Sequence, residues 1–401
     1  MTASTRERLR RIKWKHYINY AVVAAVTLVC TLLMLTGVLS DRGTFSLLTQ
    51  ISISIVLAVS LSLVVGFLGE LSLGHAGFMC VGAYLGGKVA ALLVPVMGGD
   101  PNSLLVLLIS LVVGAASAAV CGVIIGLPAL RLRGDYLAIV TLAFGEIVRS
   151  LFLNSSAESF GGALGLETPR FGYKYLFIVG FLMVLLTLAV VQNLIRSRHG
   201  RAITAIRDSE IATRATGISV TKYKLLAFTV SAAFAGIAGV LYSYSGSRVD
   251  SAHFDYNYSI EILVMVVLGG MGSINGSIIS AALITFLNLR LQTVLTGNLS
   301  VLKNIIYAVI LICIVIYNNA PALKSFREKY NLRRFLRRFS RKQADDPAFV
   351  REDEASWARV PTKIDMDELL SVDLRPGEYV GGTARDQNGT DGGEADGGKE
   401  D

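Results

Sequence analysis

Two acidic residues and one basic residue stand inside apolar stretches of this 401-residue chain, where charges are costly and usually serve a purpose. Glu146 and Arg149 in "AFGEIVRS" are three residues apart, so they share one face of a helix and neutralise each other. Such a pair marks either a polar pathway or a self-contained structural contact. Glu261 in "SIEILVM" is a second candidate for a pathway, unless it lies at a membrane edge.

A second group of candidates lies in "GELSLGHAGFMCVGAY", where glycines interrupt an apolar region around His75. Glycines let backbones approach closely or break a helix so that its end faces a ligand. A free helix start presents N–H groups and a partial positive charge, which suit a carboxylate. The alternative is tight helix packing, with His75 bonded to a neighbouring carbonyl. The full set of pathway candidates is Gly74, His75, Gly77, Thr141, Glu146, Arg149 and Glu261.

The remaining motifs argue against catalysis. "GAYLGGKV" resembles a phosphate-binding loop but ends in Val89, which lacks the hydroxyl that such a loop offers to Mg²⁺. The four histidines are scattered, and no partner stands at ligand spacing from His75. We therefore expect no enzyme activity, no metal and no cofactor in this chain, and no nucleic-acid partner.

Apolar runs long enough to cross a bilayer must position these residues. Hydrophobic residues make up 53% of the chain and the mean hydropathy is +0.55, which exceeds what a soluble domain can bury. Continuous runs of about 17–25 residues predict an all-α polytopic membrane protein with about ten transmembrane helices. We place these spans at 17–39, 45–67, 72–95, 103–127, 135–153, 174–195, 223–245, 259–270, 276–292 and 303–320.

Basic segments orient these spans. Residues 1–16, the loop with Arg131 and Arg133, the loop 196–224 and the segment after Pro321 are all basic, so the positive-inside rule places both termini in the cytoplasm. The run 259–270 is too short to span, at roughly 18 Å as a helix. If it forms a re-entrant hairpin with the following run, the chain has eight spans and the loops keep their sides.

Two segments follow the predicted transmembrane domain, 17–321. Residues 322–343 combine an apolar stripe with a basic opposite face, which predicts an amphipathic helix on anionic lipid; a solvated topology anchor is the alternative. Residues 344–401 hold 16 acidic against 6 basic residues and many glycines, which predicts a disordered tail.

The loop segment "GRAITAIRDSEIATRATGIS" is charged and helix-patterned, unlike its surroundings. We predict one helix over 201–207, a second capped by Asp208 or Ser209 with Glu210 in its first turn, and a stop at Gly217. The next span should begin near 222–223. A helix–bend–helix unit of this kind is shaped to fit another protein, although a plain cytoplasmic connection would show similar residues.

Four stretches together resemble the permease subunits of ATP-binding-cassette importers for branched-chain amino acids. They are "GELSLGHAGFMCVGAY", "LPALRLRGDYLAIVTLAFGEIVR", "GRAITAIRDSEIATRATGISVTKYKLLAF" and "SIEILVMVVLGGMGSINGS", and with the intervening spans they cover about 45–320. In this family a cytoplasmic Glu-Ala-Ala…Gly segment docks on the ATPase. Glu210, Ala212 and Gly217 resemble its members, with Ile211 replacing one Ala and the Gly one residue late. Arg207 and Asp208 adjoin them within the coupling loop, 200–224.

The resemblance implies an importer made of several subunits in the prokaryotic plasma membrane. It implies a second permease of related, non-identical sequence, two cytoplasmic ATPases that bind ATP and Mg²⁺, and an external substrate-binding protein. The substrate would be a hydrophobic amino acid, with urea or a short amide as the alternative. An ion-coupled secondary transporter is the rival class, but it needs intramembrane carboxylates, for which only Glu146 and Glu261 qualify.

Overall fold

The computed structural model describes residues 18–35, 41–100, 102–130, 132, 134–294, 309 and 312, and these residues form helices almost throughout. The chain divides into two units, Met1–Pro321 and Ala322–Asp401, and all the described residues belong to the first. The helices are α1 Ile18–Leu35, α2 Arg42–Ser62, α3 His75–Val96, α4 Leu104–Ala129, α5 Asp135–Leu153, α6 Ala157–Phe160, α7 Tyr173–Arg196, α8 Arg198–Asp208, α9 Glu210–Ala215, α10 Val220–Ser245, α11 Tyr256–Gly269 and α12 Ile274–Val294.

Short elements complete the described part. Helix α2 continues as a π-helical turn, Leu63–Leu68, and single 3₁₀ turns occur at Gly162–Leu164 and Ser251–Phe254. Strand β1, Leu166–Glu167, pairs antiparallel with β2, Arg248–Val249, in the register Leu166 to Val249. Among the described residues, this two-stranded ribbon is the β-structure in an otherwise helical fold.

Among the described helices, seven are long and apolar enough to cross a membrane, so the prediction of a polytopic helical membrane protein is confirmed. Helices α1 and α11 are shorter apolar segments, Val23–Leu32 and Tyr256–Gly269. Nine of the ten predicted spans coincide with a described helix. The span 303–320 lies outside the described residues except for 309 and 312, as do 1–16, 322–343, 344–401 and the arginines 131 and 133.

Helices α2 and α10 form the centre of the bundle. The apolar window of α2 is 89% buried, and α10 packs against α2, α3 and α4. The approach of α10 is close because small residues face one another: a Cβ added to Gly82 would lie 2.3 Å from the Gly236 carbonyl oxygen. In lipid no hydrophobic force drives apolar helices together. Small residues at such crossings let the helices approach closely and gain dispersion contacts instead.

The chain between β2 and α12 runs from one end of the bundle to the other. The ribbon lies at the C-terminal end of α10, where Thr168 donates a hydrogen bond to the Ser243 carbonyl over 2.7 Å. The turn after α11 lies at the opposite end, because a Cβ on Gly272 would lie 3.4 Å from Nη1 of Arg207, in the loop before α10. This segment therefore connects the two ends of the bundle.

Candidate functional site

The loop element, α8 with α9, has the helix–bend–helix form that the sequence predicts. Ser209 caps α9, since its hydroxyl accepts a hydrogen bond from the Ala212 N–H over 3.3 Å. Asp208 is not the cap and instead pairs with Arg207 at 3.2 Å. Gly217 follows with a φ of 82°, a left-handed conformation that ends the helix. The preceding helix starts at Arg198 and the next span at Val220, each two or three residues earlier than predicted.

The loop element has one buried and one exposed face. Ala202, Ile203 and Ile206 of α8 are buried against the bundle. The short α9 instead projects outward, and the side chain of Ile211 is 82% exposed although it is apolar. An isolated exposed isoleucine is ordinary, but this one stands at the tip of an element that is otherwise held in place.

A charge cluster fixes α9 to the bundle. Lys224, near the start of α10, is 3% exposed, and its ammonium donates to Glu70 and, over 3.1 Å, to Oε2 of Glu210. The other oxygen of Glu210 accepts from Arg214 at 2.5 Å. Burial of an ammonium is tolerated only when partners of opposite charge replace its water, and here two carboxylates do so.

Arg207 makes a second connection at the same end of the bundle. Its Nη1 donates to the carbonyl oxygen of Gly66, in the π-helical turn of α2, over 3.0 Å. Its aliphatic stem passes so close to Gly69 that a Cβ there would lie 2.6 Å from the Arg207 Cγ. Gly66 stands two residues before the end of this turn, where carbonyl groups lack an intrahelical donor and can accept from a side chain.

These two connections join the loop element to the segment that leads into α3. Glu70 and Gly69 stand five and six residues before His75, where α3 begins. Charged contacts therefore connect α8 and α9 to the chain between α2 and α3.

Three of the predicted pathway residues meet where α3 crosses α5. The Leu73 N–H donates to Oγ1 of Thr141 over 3.0 Å, and a Cβ on Gly74 would lie 2.5 Å from the Thr141 carbonyl oxygen. A Cβ on Gly77 would lie 2.7 Å from the Cα of Gly145. The glycines thus permit a close helix crossing in this structure, which is the packing alternative; their part in translocation stays a prediction.

The start of α3 is a helix break, as the glycine pattern indicates, but two of its polar groups, the Ala76 N–H and the His75 ring, have partners. The Ala76 N–H donates to the hydroxyl of Ser259 in α11 over 3.2 Å. Nε2 of His75 lies 2.8 Å from the Ser60 hydroxyl, and the buried imidazole also hydrogen-bonds to the backbone of Leu57, as the packing alternative expects. Helices α2, α3 and α11 are thereby joined at this break.

Glu146 and Arg149 form the predicted ion pair, with 2.8 Å between Arg149 Nε and Glu146 Oε2. The other oxygen of Glu146 accepts from the Tyr256 N–H at the start of α11, over 3.1 Å. Glu261 lies elsewhere on α11 and accepts a hydrogen bond from Asn288 of α12 over 2.9 Å. The structure thus brings Glu146 close to the α3–α5 crossing and leaves Glu261 at the contact between α11 and α12.

The charge cluster was missed by the sequence reasoning. In the sequence Lys224 is one of several positive charges in the loop 196–224, and Glu70 is part of the glycine-containing stretch around His75. The two residues are 154 positions apart, and a lone charge at the edge of an apolar run is normally exposed. In the described part of the chain, no three His, Cys, Asp or Glu side chains gather as a metal site would require.

Comparisons with known proteins agree with the pattern of the sequence. The family described as "Branched-chain amino acid transport system / permease component" matches residues 43–315, which is more than half of the chain. The high-affinity branched-chain amino acid transport system permease protein LivM of Salmonella typhimurium is 42% identical over 276 residues, covering 61% of this chain and 62% of LivM. The chain thus spans less than two thirds of the length of that relative.

Other relatives show the breadth of the family. The ribose import permease protein RbsC of Escherichia coli strain K12 is 30% identical, over 69% of this chain and 85% of RbsC. A probable branched-chain amino acid transport permease protein LivM of Methanocaldococcus jannaschii is 28% identical, over 55% of this chain and 73% of the relative. No solved structure matches the chain. The family match, the membrane-length helices and the four sequence stretches agree, and the chain belongs to the permease-component family of branched-chain amino acid transport systems.

Proposed function

We propose that this chain is a translocation subunit of an ATP-driven importer for branched-chain amino acids in a prokaryotic plasma membrane. The observation that carries the proposal is the loop element, which projects an exposed Ile211 outward while charged side chains tie it to the helices behind it. A permease without ATPase activity of its own needs such an element, because force from a partner must reach the membrane helices.

The loop element docks into a groove on a cytoplasmic ATPase. Ile211 stands where the family pattern has a small residue, and with Ala212 it forms the exposed side of α9. Closure of an ATPase dimer around ATP and Mg²⁺ pushes α8 and α9. Arg207 and Glu210 carry that displacement to the segment before α3, and the helices exchange between two arrangements that open to opposite sides.

The other partners follow from the family. A second permease of related sequence completes the pathway, and an external binding protein delivers the substrate at the end of the bundle that carries the β1–β2 ribbon. Residues 322–343 bind anionic lipid, and 344–401 form a separate acidic tail. We further propose that both termini lie in the cytoplasm.

The substrate is tested by competition. The complex with its ATPases and binding protein is reconstituted in proteoliposomes, and uptake of labelled leucine is measured with unlabelled isoleucine, valine, urea, acetamide or ribose in excess. The proposal predicts that isoleucine and valine compete and that the other three do not. Competition by urea or acetamide alone would assign the chain to the amide carriers, and competition by ribose alone would assign it to the group that includes RbsC.

A further inference from the structure

The ion pair of Glu146 and Arg149 lies at a depth where a charged pair needs a reason. Glu146 is the twelfth residue of α5, about 16 Å along a helix that is about 28 Å long. The side chains of Glu146 and Arg149 are 31% and 29% exposed, so the pair is not enclosed by this chain. Lipid around it would be unfavourable, which indicates a water-filled space or a second protein on that side.

The guanidinium of Arg149 retains unused hydrogen-bond donors. Within the part of the chain that the structure describes, it donates only through Nε, to Glu146. Its two terminal nitrogens keep four N–H groups in the planar arrangement that binds a carboxylate through two parallel hydrogen bonds. The neighbouring carboxylate of Glu146 supplies negative charge a few ångströms away.

A ligand that fits this pair carries charges of both signs close together. A carboxylate binds the free donors of Arg149 through two parallel hydrogen bonds, and a cationic group beside it binds the carboxylate of Glu146. An α-amino acid carries these two groups on one carbon atom. The exposed Ile147 and Leu151 lie on a different face of α5, because residues one or two positions apart do not face each other on a helix.

We infer that Glu146 and Arg149 form a transient binding site for the transported amino acid. The α-carboxylate binds the terminal nitrogens of Arg149, and the α-ammonium binds Glu146. The inference rests on the proposed function and adds to it the residues that contact the substrate. The existing ion pair keeps both charges compensated when the site is empty.

The first test removes both charges together. The double variant E146Q/R149M leaves no unpaired charge, and the amide oxygen introduced in place of the Glu146 carboxylate can still accept from the Tyr256 N–H. We expect leucine uptake in proteoliposomes to fall at least tenfold while assembly and basal ATP hydrolysis are retained. R149K, which keeps the charge but loses the planar pair of donors, should give an intermediate rate. Uptake by E146Q/R149M at the wild-type rate would overturn the inference, because a purely structural pair tolerates joint replacement.

The second test does not depend on folding of a variant. Leucine with a photoreactive diazirine in its side chain is delivered to the wild-type complex by the binding protein, and labelled peptides are identified by mass spectrometry. We expect labels within residues 143–151. Labels confined to other helices would overturn the inference even if E146Q/R149M fails to assemble. If wild type takes up no leucine but does take up urea or ribose, the proposed function fails instead.

The matched control is E167Q/R248M, which removes an ion pair of 2.7 Å from the ribbon at the end of α10. In that variant the pattern of photo-leucine labels in α5 should be unchanged. Photo-leucine labelling is compared in this control and in E146Q/R149M. If the control lost as many α5 labels as E146Q/R149M, the assignment of the binding site to Glu146 and Arg149 would be contradicted.

Discussion

Removing both carboxylates from Lys224 should destabilise the protein and uncouple it from ATP. The Lys224 side chain is only 4% exposed, and Glu70 and Glu210 are its two partners of opposite charge. Breaking a buried pair by removing one side costs about 3–5 kcal/mol, because the other charge stays buried. We therefore expect E70Q/E210Q to lose about 3–5 kcal/mol of stability.

The single variants should cost less, because each leaves Lys224 with one carboxylate. A hydrogen bond to a charged group is worth about 1.5–3 kcal/mol, so E70Q and E210Q should each lose that amount or less. The loss in the double variant should match or exceed the sum of the two single losses. E70Q/K224M, which removes opposite charges together, should be more stable than E70Q/E210Q.

The assay combines thermal unfolding of the purified complex in detergent with ATP hydrolysis measured with and without loaded binding protein. E70Q should keep basal hydrolysis and lose most of the stimulation by substrate, because Glu70 joins α9 to the segment before α3. E167Q is the matched control, since it breaks an exposed pair whose glutamate is 80% exposed, and should cost no more than about 1 kcal/mol. Wild-type stability and full stimulation in E70Q/E210Q would refute the reasoning.

Four further experiments test other parts of the account. Gly217→Val should cost about 1–3 kcal/mol of strain at φ 82° and lose co-purification with the ATPase, whereas Gly217→Asn, which tolerates this conformation, should retain it. Ile211→Asp should abolish co-purification without changing thermal stability, and an unchanged pull-down would remove α9 from the docking surface. Gly74→Leu should insert in the membrane but lose uptake, since even its Cβ would press on the α5 backbone; normal uptake would exclude this crossing from the mechanism. A peptide of residues 322–345 should bind anionic vesicles less tightly in high salt or when its apolar stripe is replaced by serine, and insensitivity to both would favour a simple topology anchor. The stripe residues to replace are Phe335, Leu336 and Phe339.

Most of the fold could be predicted because apolar run length determines membrane helices. The local form of the loop element could also be predicted, since Ser209 and Gly217 act on neighbouring backbone groups through capping and a left-handed turn. The boundaries were wrong by two or three residues at Arg198 and Val220, where charged residues continue a helix beyond its apolar part.

The candidate site was harder to predict from the sequence. The partnership of Lys224 with Glu70 depends on how α10 and the chain after α2 meet, which no local pattern encodes. The route of the chain around α11 was similarly open, since twelve apolar residues fit a half-helix or a hairpin. In the structure Gly272 lies at the opposite end of the bundle from the ribbon, a position that the number of apolar residues does not reveal.

The energy source of transport is the most direct test of the central claim. The complex of this chain with its ATPases, second permease and binding protein is placed in proteoliposomes, and leucine uptake is followed with ATP or a non-hydrolysable analogue at the nucleotide-binding side. The account predicts uptake only with hydrolysable ATP, unchanged by ionophores that collapse proton and sodium gradients. Uptake by this chain without ATPase subunits, driven by an imposed ion gradient and abolished by an ionophore, would contradict it.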